Sequence, residues 1–217
     1  MPDGIDGPTA AAVLLKGMTA EFLVRRCHPA KRGEIALVHA AAGGVGSLLT
    51  QWLVGLGVTV IGTVGSADKA EIARRHGCHH VILYREEDVA ARVREITGRE
   101  LCHVVYDGVG KDTLEASLSC LRPRGMLVSF GNASGKPPPL DLLVLSQKGS
   151  LFVTRPTLFT YVATRDELVG SATALWDEIL AGRVKVDPPR RVPLDRAADA
   201  HRDLEARRTT GSTVLVP

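Results

Sequence analysis

Aromatic residues are scarce, at 4% of the 217 residues, so a core must come mainly from Val, Leu, Ile and Ala. Cysteine is also scarce. The four, Cys27, Cys78, Cys102 and Cys120, form no C-x-x-C pair, which argues against a zinc ribbon or a thioredoxin-type motif. No apolar run reaches the roughly 18 residues of a membrane span. Residues 1–7 are acidic and rich in Gly and Pro, without the charged and apolar regions of a signal peptide. No large excess of one charge is present. The net charge is +3 with His neutral, which argues against nucleic acid and membranes as partners. A reducing, cytoplasmic setting is expected.

The composition, 45% hydrophobic and 24% charged, is that of a globular domain. Residues 9–26 read as a helix that Thr9 can cap, stopped by Pro29 and Gly33. Strand-like and helical runs then alternate. Strands are expected at 35–40, 58–64, 81–83, 103–106 and 125–130. Helices are expected at 45–56, 67–76, 86–97 and 111–121, with Ser66 as a cap for the second of these. The repeated β-α-β spacing predicts an α/β fold, a doubly wound parallel sheet of Rossmann type. After Gly131 the rhythm changes. Residues 131–141 are rich in Gly and Pro, 150–154 reads as a strand and 165–181 as a long helix stopped by Gly182. Residues 191–193, 196–207 and 213–216 read as extended, helical and strand. They make a helix–strand extension to a single domain spanning 1–217.

The most informative stretch is Ile35-Ala-Leu-Val-His-Ala-Ala-Ala-Gly-Gly-Val-Gly46. A buried strand enters a glycine turn and then an apolar helix, the order a dinucleotide site needs. Ala41, Gly43 and Gly46 take the three positions of G-x-G-x-x-G. The other reading is that these glycines serve helix–strand packing alone. A Gly-Lys-Ser/Thr sequence is absent, which argues against a P-loop. The end of the second strand, Gly62-Thr-Val-Gly-Ser-Ala-Asp-Lys69, lacks the carboxylate that accepts from a ribose 2′-hydroxyl. Ser66 and Lys69 suit a 2′-phosphate, so NADP(H) is expected over NAD(H). A solvated Lys69 is the plainer alternative, and Asp68 reads as a first-turn acid that favours the helix dipole.

Several motifs extend the pattern. The glycine turn, Val105-Tyr-Asp-Gly-Val-Gly110, Val128-Ser-Phe-Gly-Asn132, Lys148-Gly-Ser-Leu151, Thr154-Arg-Pro156 and Leu204-Glu-Ala-Arg-Arg-Thr-Thr-Gly211 resemble the NADPH:quinone oxidoreductases. These are the zinc-independent, zeta-crystallin-like branch of the medium-chain dehydrogenase/reductases. The resemblance runs from about Thr9 to Pro217. It implies a further N-terminal GroES-like domain in the relatives, to which residues 185–217 would return. It also implies hydride transfer from NADPH to a quinone or another conjugated carbonyl, no zinc, and a homodimer paired through the 149–154 strand.

By the same resemblance Gly43, Gly44, Val45 and Gly46 would sit on the pyrophosphate, and Ser66, Lys69, Tyr84 and Arg207 on the 2′-phosphate. Val109, Phe130, Gly131 and Asn132 would line the ribose and nicotinamide. Phe22 stands where some relatives have tyrosine. No catalytic side chain is identified.

Other candidates read as structural. Asp107 either orients a ribose or the adjacent loop, or forms a turn before Gly108. His39 reads as packed. His79 and His80 point to opposite faces if extended, which argues against a metal pair. Glu86, Glu87 and Asp88 begin a helix, and Asp199 and His201 lie on the last one. A second functional class also stands open, an NADPH-binding regulatory, structural or RNA-binding module with little turnover.

Overall fold

Six runs, most of them rich in aliphatic residues, form strands: β1 (Ile35–Val38), β2 (Thr59–Val64), β3 (His80–Leu83), β4 (Cys102–Asp107), β5 (Leu121–Ser129) and β6 (Phe152–Thr154). A computed structural model describes residues 1–206, 208–209 and 211–217. All six strands are parallel, in the order β3-β2-β1-β4-β5-β6. This is the doubly wound, Rossmann-type arrangement expected. The strand order reverses between β1 and β4, and the crevice at the carboxyl ends of such strands is where ligands bind.

The helices are α1 (Gly7–Phe22), α2 (Gly44–Gly55), α3 (Ala67–Arg75), α4 (Val89–Ile96), α5 (Leu114–Ser119), α6 (Leu142–Gln147), α7 (Leu158–Tyr161), α8 (Arg165–Leu180) and α9 (Ala197–Glu205). Strand periodicity divides the interior into two cores. Ala36, Val38, Val104 and Tyr106 join one with Phe22, Leu49 and Leu53. Their neighbours Leu37 and Val105 join the other with Ile61, Ile82 and Leu127. Successive side chains point to opposite faces, so both sides of the sheet are covered and the strands are almost continuously apolar. A small parallel pair, β7 (Arg190–Pro193) and β8 (Thr213–Val216), stands apart from the main sheet.

Several expected boundaries need correction. Asp6, not Thr9, caps α1: its carboxylate accepts from the Thr9 amide at 2.9 Å, and Pro8 fits the first turn. The helix becomes a π turn over Leu23–Cys27. Arg26 lies 2.8 Å from Glu21, five residues back. The helix expected from residue 86 starts at Val89, because Asp88 caps it through the Ala91 amide. Glu87 instead accepts from the Leu83 amide at 2.8 Å. Helix α5 is shorter than residues 111–121, since β5 already begins at Leu121. Ser66 holds the N-cap position of α3, but its side chain makes no capping hydrogen bond. Helices α6 and α7 were not anticipated.

Candidate functional site

The phosphate-type turn is built by close approach. After β1, Ala40 adopts a positive φ of 53°, and its carbonyl accepts from the Gly43 amide at 2.8 Å. Gly43 is the N-cap of α2 and brings no side chain to cover the helix end. The first amides of a helix lack intrahelical partners and carry its positive end, so this end is suited to an anion. A Cβ on Gly46 would lie 2.3 Å from the Ala40 carbonyl oxygen, so glycine is required there for packing. A Cβ on Gly44 would lie 2.7 Å from Lys16 Cδ. Lys16 Nζ donates to Ser212 Oγ at 2.7 Å, and partial burial lowers the Lys16 pKa.

Beside this turn lies a cavity of about 230 Å³ lined by Gly43, Gly44, Gly65, Lys69 and Tyr84, with Leu204, Thr209 and Gly211 from the C-terminal segment. A Cβ on Gly65 would come 2.7 Å from the Tyr84 hydroxyl oxygen, so the ring of Tyr84 rests over bare backbone. Ser66 is exposed at the start of α3 and Asp68 is exposed in its first turn. Arg207 lies outside the described residues.

A larger cavity of about 370 Å³ shares Ala40 and Tyr84 with the first and reaches Val109, Thr113 and Ser134. A buried polar chain reaches its wall. Asp107, 1% exposed, accepts from the Val109 and Gly110 amides at 2.8 and 3.0 Å. It also accepts from the hydroxyls of Thr113 and Ser117 at 2.7 and 2.8 Å. Because Ser117 donates to the carboxylate, its oxygen accepts from His39 Nε2, 3.0 Å away. Full burial favours the neutral ring, and in that form Nδ1 accepts from Thr63 Oγ1 at 3.0 Å. Burial lowers the His39 pKa, and Asp107 opposes this in part. Asp107 therefore organises the 107–113 loop through hydrogen bonds. His39 is packed, as expected.

The third part of the crevice is formed by tight loops. A Cβ on Gly131 would lie 2.3 Å from the Gly108 carbonyl oxygen, which presses the turns after β4 and β5 together. Phe130 and Arg155 line a cavity of about 250 Å³ with Thr19, Phe22 and Leu158. Phe22 is buried and stacks on Tyr161 at 4.5 Å between centroids. Asn132 is exposed, with its side-chain oxygen 3.0 Å from Arg155.

Thus Gly43, Gly44, Lys69 and Tyr84 meet in one cavity. Val109 joins the adjoining one and Phe130 lines the third. Val45, Gly46, Ser66, Gly131 and Asn132 lie on the same turns without lining these cavities. Lys16 and the hydrogen bonding of Arg155 were missed. Lys16 carries no local signal in the middle of α1, whereas Arg155 stood in Thr154-Arg-Pro156 without a role.

A family model described as zinc-binding dehydrogenase matches residues 44–171. A quinone oxidoreductase of Pseudomonas aeruginosa is 54% identical over all of this chain and 67% of its own length. Quinone oxidoreductase 1 of Escherichia coli K12 is 48% identical, again over all of this chain and 67% of its own. The crystal structure of E. coli quinone oxidoreductase complexed with NADPH superposes with a TM-score of 0.96 at 48% identity, covering 100% of this chain and 67% of that one. A 2-haloacrylate reductase from a Burkholderia species is 47% identical over 98% of this chain and 64% of its own length. The chain spans about two thirds of the length of the quinone oxidoreductases it matches.

Proposed function

We propose, starting from the fact that the chain belongs to the quinone oxidoreductase family of the medium-chain dehydrogenase/reductases, that it is the NADP(H)-binding domain of an NADPH-dependent quinone oxidoreductase. The observation that carries this reading is the joining of three features in one cavity: the uncapped start of α2, the bare backbone at Gly65, and Lys69 beside Tyr84. A cofactor that carries a dianionic pyrophosphate and a further 2′-phosphate needs close backbone approach and unopposed positive charge.

In this reading Gly43, Gly44, Val45 and Gly46 bind the pyrophosphate, while Ser66, Lys69, Tyr84 and Arg207 bind the 2′-phosphate. Val109, Phe130, Gly131 and Asn132 line the ribose and nicotinamide. When bound, NADPH supplies the hydride, and the acceptor is a quinone or another conjugated carbonyl. The chain's own part is to hold and orient the cofactor and keep water from it. A quinone delocalises the incoming negative charge, so no dedicated side-chain acid is assigned. Residues 185–217 form a C-terminal extension of this one domain.

A homodimer through the edge strand β6 belongs to the same reading. Phe152, 56% exposed, and Val153 lie on an edge that pairs only with β5 among the described strands. Such an edge invites a further strand. A cytoplasmic setting suits four unpaired thiols and an NADPH-dependent reduction.

The test is NADPH affinity by fluorescence set beside steady-state NADPH oxidation with a simple quinone. Saturable binding with turnover supports the reading. Binding without turnover selects an NADPH-binding module of regulatory or structural kind instead.

A further inference from the structure

Arg155 follows β6 directly, at the carboxyl ends of the strands. Its Nη1 donates to the carbonyl oxygens of Ser129 and Gly131 at 2.8 and 2.9 Å, and to the Ser129 hydroxyl at 3.2 Å. Its Nη2 donates to Asn132 Oδ1 at 3.0 Å. One guanidinium thus gathers acceptors from three of the four residues 129–132. The same side chain lines the cavity that Phe130 and Phe22 enclose.

A guanidinium is permanently charged and donates only. An amide facing it must therefore present oxygen, because the flipped amide would set N–H against N–H. The contact with Arg155 leaves Asn132 with its two N–H groups turned away from the guanidinium. Asn132 becomes a donor of fixed sense beside the turn where Gly131 and Gly108 press together. The nicotinamide half of a dinucleotide offers acceptors to such a donor, namely a carboxamide oxygen and ribose hydroxyls.

We propose that Arg155 is the positioning residue of the nicotinamide end: it ties down the turn 129–132 and fixes Asn132 as a hydrogen-bond donor to that half of the cofactor. The proposal rests on the NADP(H) reading above. A lysine cannot replace the planar fork, since its ammonium is a point charge without parallel donors.

The test titrates the chain with NADPH and with adenosine 2′,5′-bisphosphate, which carries the extra phosphate but no nicotinamide. In Arg155→Met, NADPH affinity falls about threefold to tenfold, the scale of a lost neutral hydrogen bond from the Asn132 amide, and the bisphosphate changes by less than about twofold. Arg155→Lys recovers little. The double variant Arg155→Met/Asn132→Ala is no weaker than the worse single variant, because the two residues act as one unit. Arg155 is exposed, so these variants are expected to fold. Should Arg155→Met fail to fold, Arg155→Lys and Asn132→Ala carry the same comparison.

Equal weakening of both ligands would reduce Arg155 to a structural tie and overturn the proposal. Unchanged NADPH affinity, or additive losses in the double variant, would overturn it as well. A wild-type chain that binds the bisphosphate and NADPH while Arg155→Met binds both normally removes this proposal alone. A wild-type chain that binds neither removes the NADP(H) reading and this proposal together.

Discussion

Gly46 meets Ala40 so closely that a Cβ on Gly46 would lie 2.3 Å from the Ala40 carbonyl oxygen. At Gly43 the same distance would be 3.0 Å, which a small backbone shift can relieve. The two glycines therefore do different work. Gly46→Ala should lower stability by about 1–3 kcal/mol, the range for forcing extra atoms into a packed site. Gly43→Val should keep near-native circular dichroism yet lose NADPH and NADH alike. Denaturation curves and cofactor titrations on the two variants give the check. An equally stable Gly46→Ala, or a Gly43→Val that binds normally, would contradict this division.

Lys69 should separate the two cofactors. It stands in the cavity with Gly65 and Tyr84, where the reading puts the 2′-phosphate. Lys69→Ala should weaken NADPH by about 1–3 kcal/mol, as for hydrogen bonds to charged groups, and leave NADH nearly unchanged. Calorimetric titration with both cofactors decides it. Equal losses would move Lys69 away from the 2′-phosphate.

Stability should decline on mild acidification. Burial lowers the pKa of His39 below its ordinary 6.5, and burial together with Arg122 does the same to His103. Below about pH 6.5 the unfolded chain binds protons that the folded chain resists, so folding weakens as pH falls. Each such proton contributes at most about 1.4 kcal/mol per pH unit. Urea midpoints between pH 7 and pH 5 should therefore drop less steeply in His39→Gln than in the wild type. Parallel pH profiles would show that His39 is not one of the groups responsible.

The edge strand should control association. Phe152 and Val153 present apolar surface at β6, and Phe152→Lys would set charges together across a two-fold pairing. Light scattering should find a dimeric wild type and a largely monomeric Phe152→Lys. A monomeric wild type, or a variant that dimerises with unchanged affinity, would remove this edge as the interface.

The sheet was legible because its signals are local. Most strands are short apolar runs, and Gly57, Gly77, Gly98 and Gly182 follow four of the helices at the expected places. The first half of β5 was not legible, because Arg122-Pro-Arg-Gly125 carries no apolar signal. The turn from Ile35 to Gly46 could be read from neighbouring residues alone. The short helices α6 and α7 were not legible, since six and four residues carry too little periodicity. Asp6 displaced Thr9 as a cap because the proline at position 8 let the helix begin earlier. The ties made by Lys16 and Arg155 were hidden for another reason. Lys16 meets Ser212 across 196 positions, and Arg155 meets Ser129 across 26. Such pairings depend on the packed fold and leave no mark in local spacing.

As the NADP(H)-binding domain proposed above, this chain should hold NADPH in preference to NADH. Side-by-side titration of the purified chain with the two cofactors, followed by fluorescence at one salt concentration, tests it most directly. Saturable one-to-one binding of NADPH is expected, at least about tenfold tighter than NADH, from one well-placed charged hydrogen bond to the extra phosphate. Equal affinity for both cofactors, or tighter binding of NADH, would contradict it.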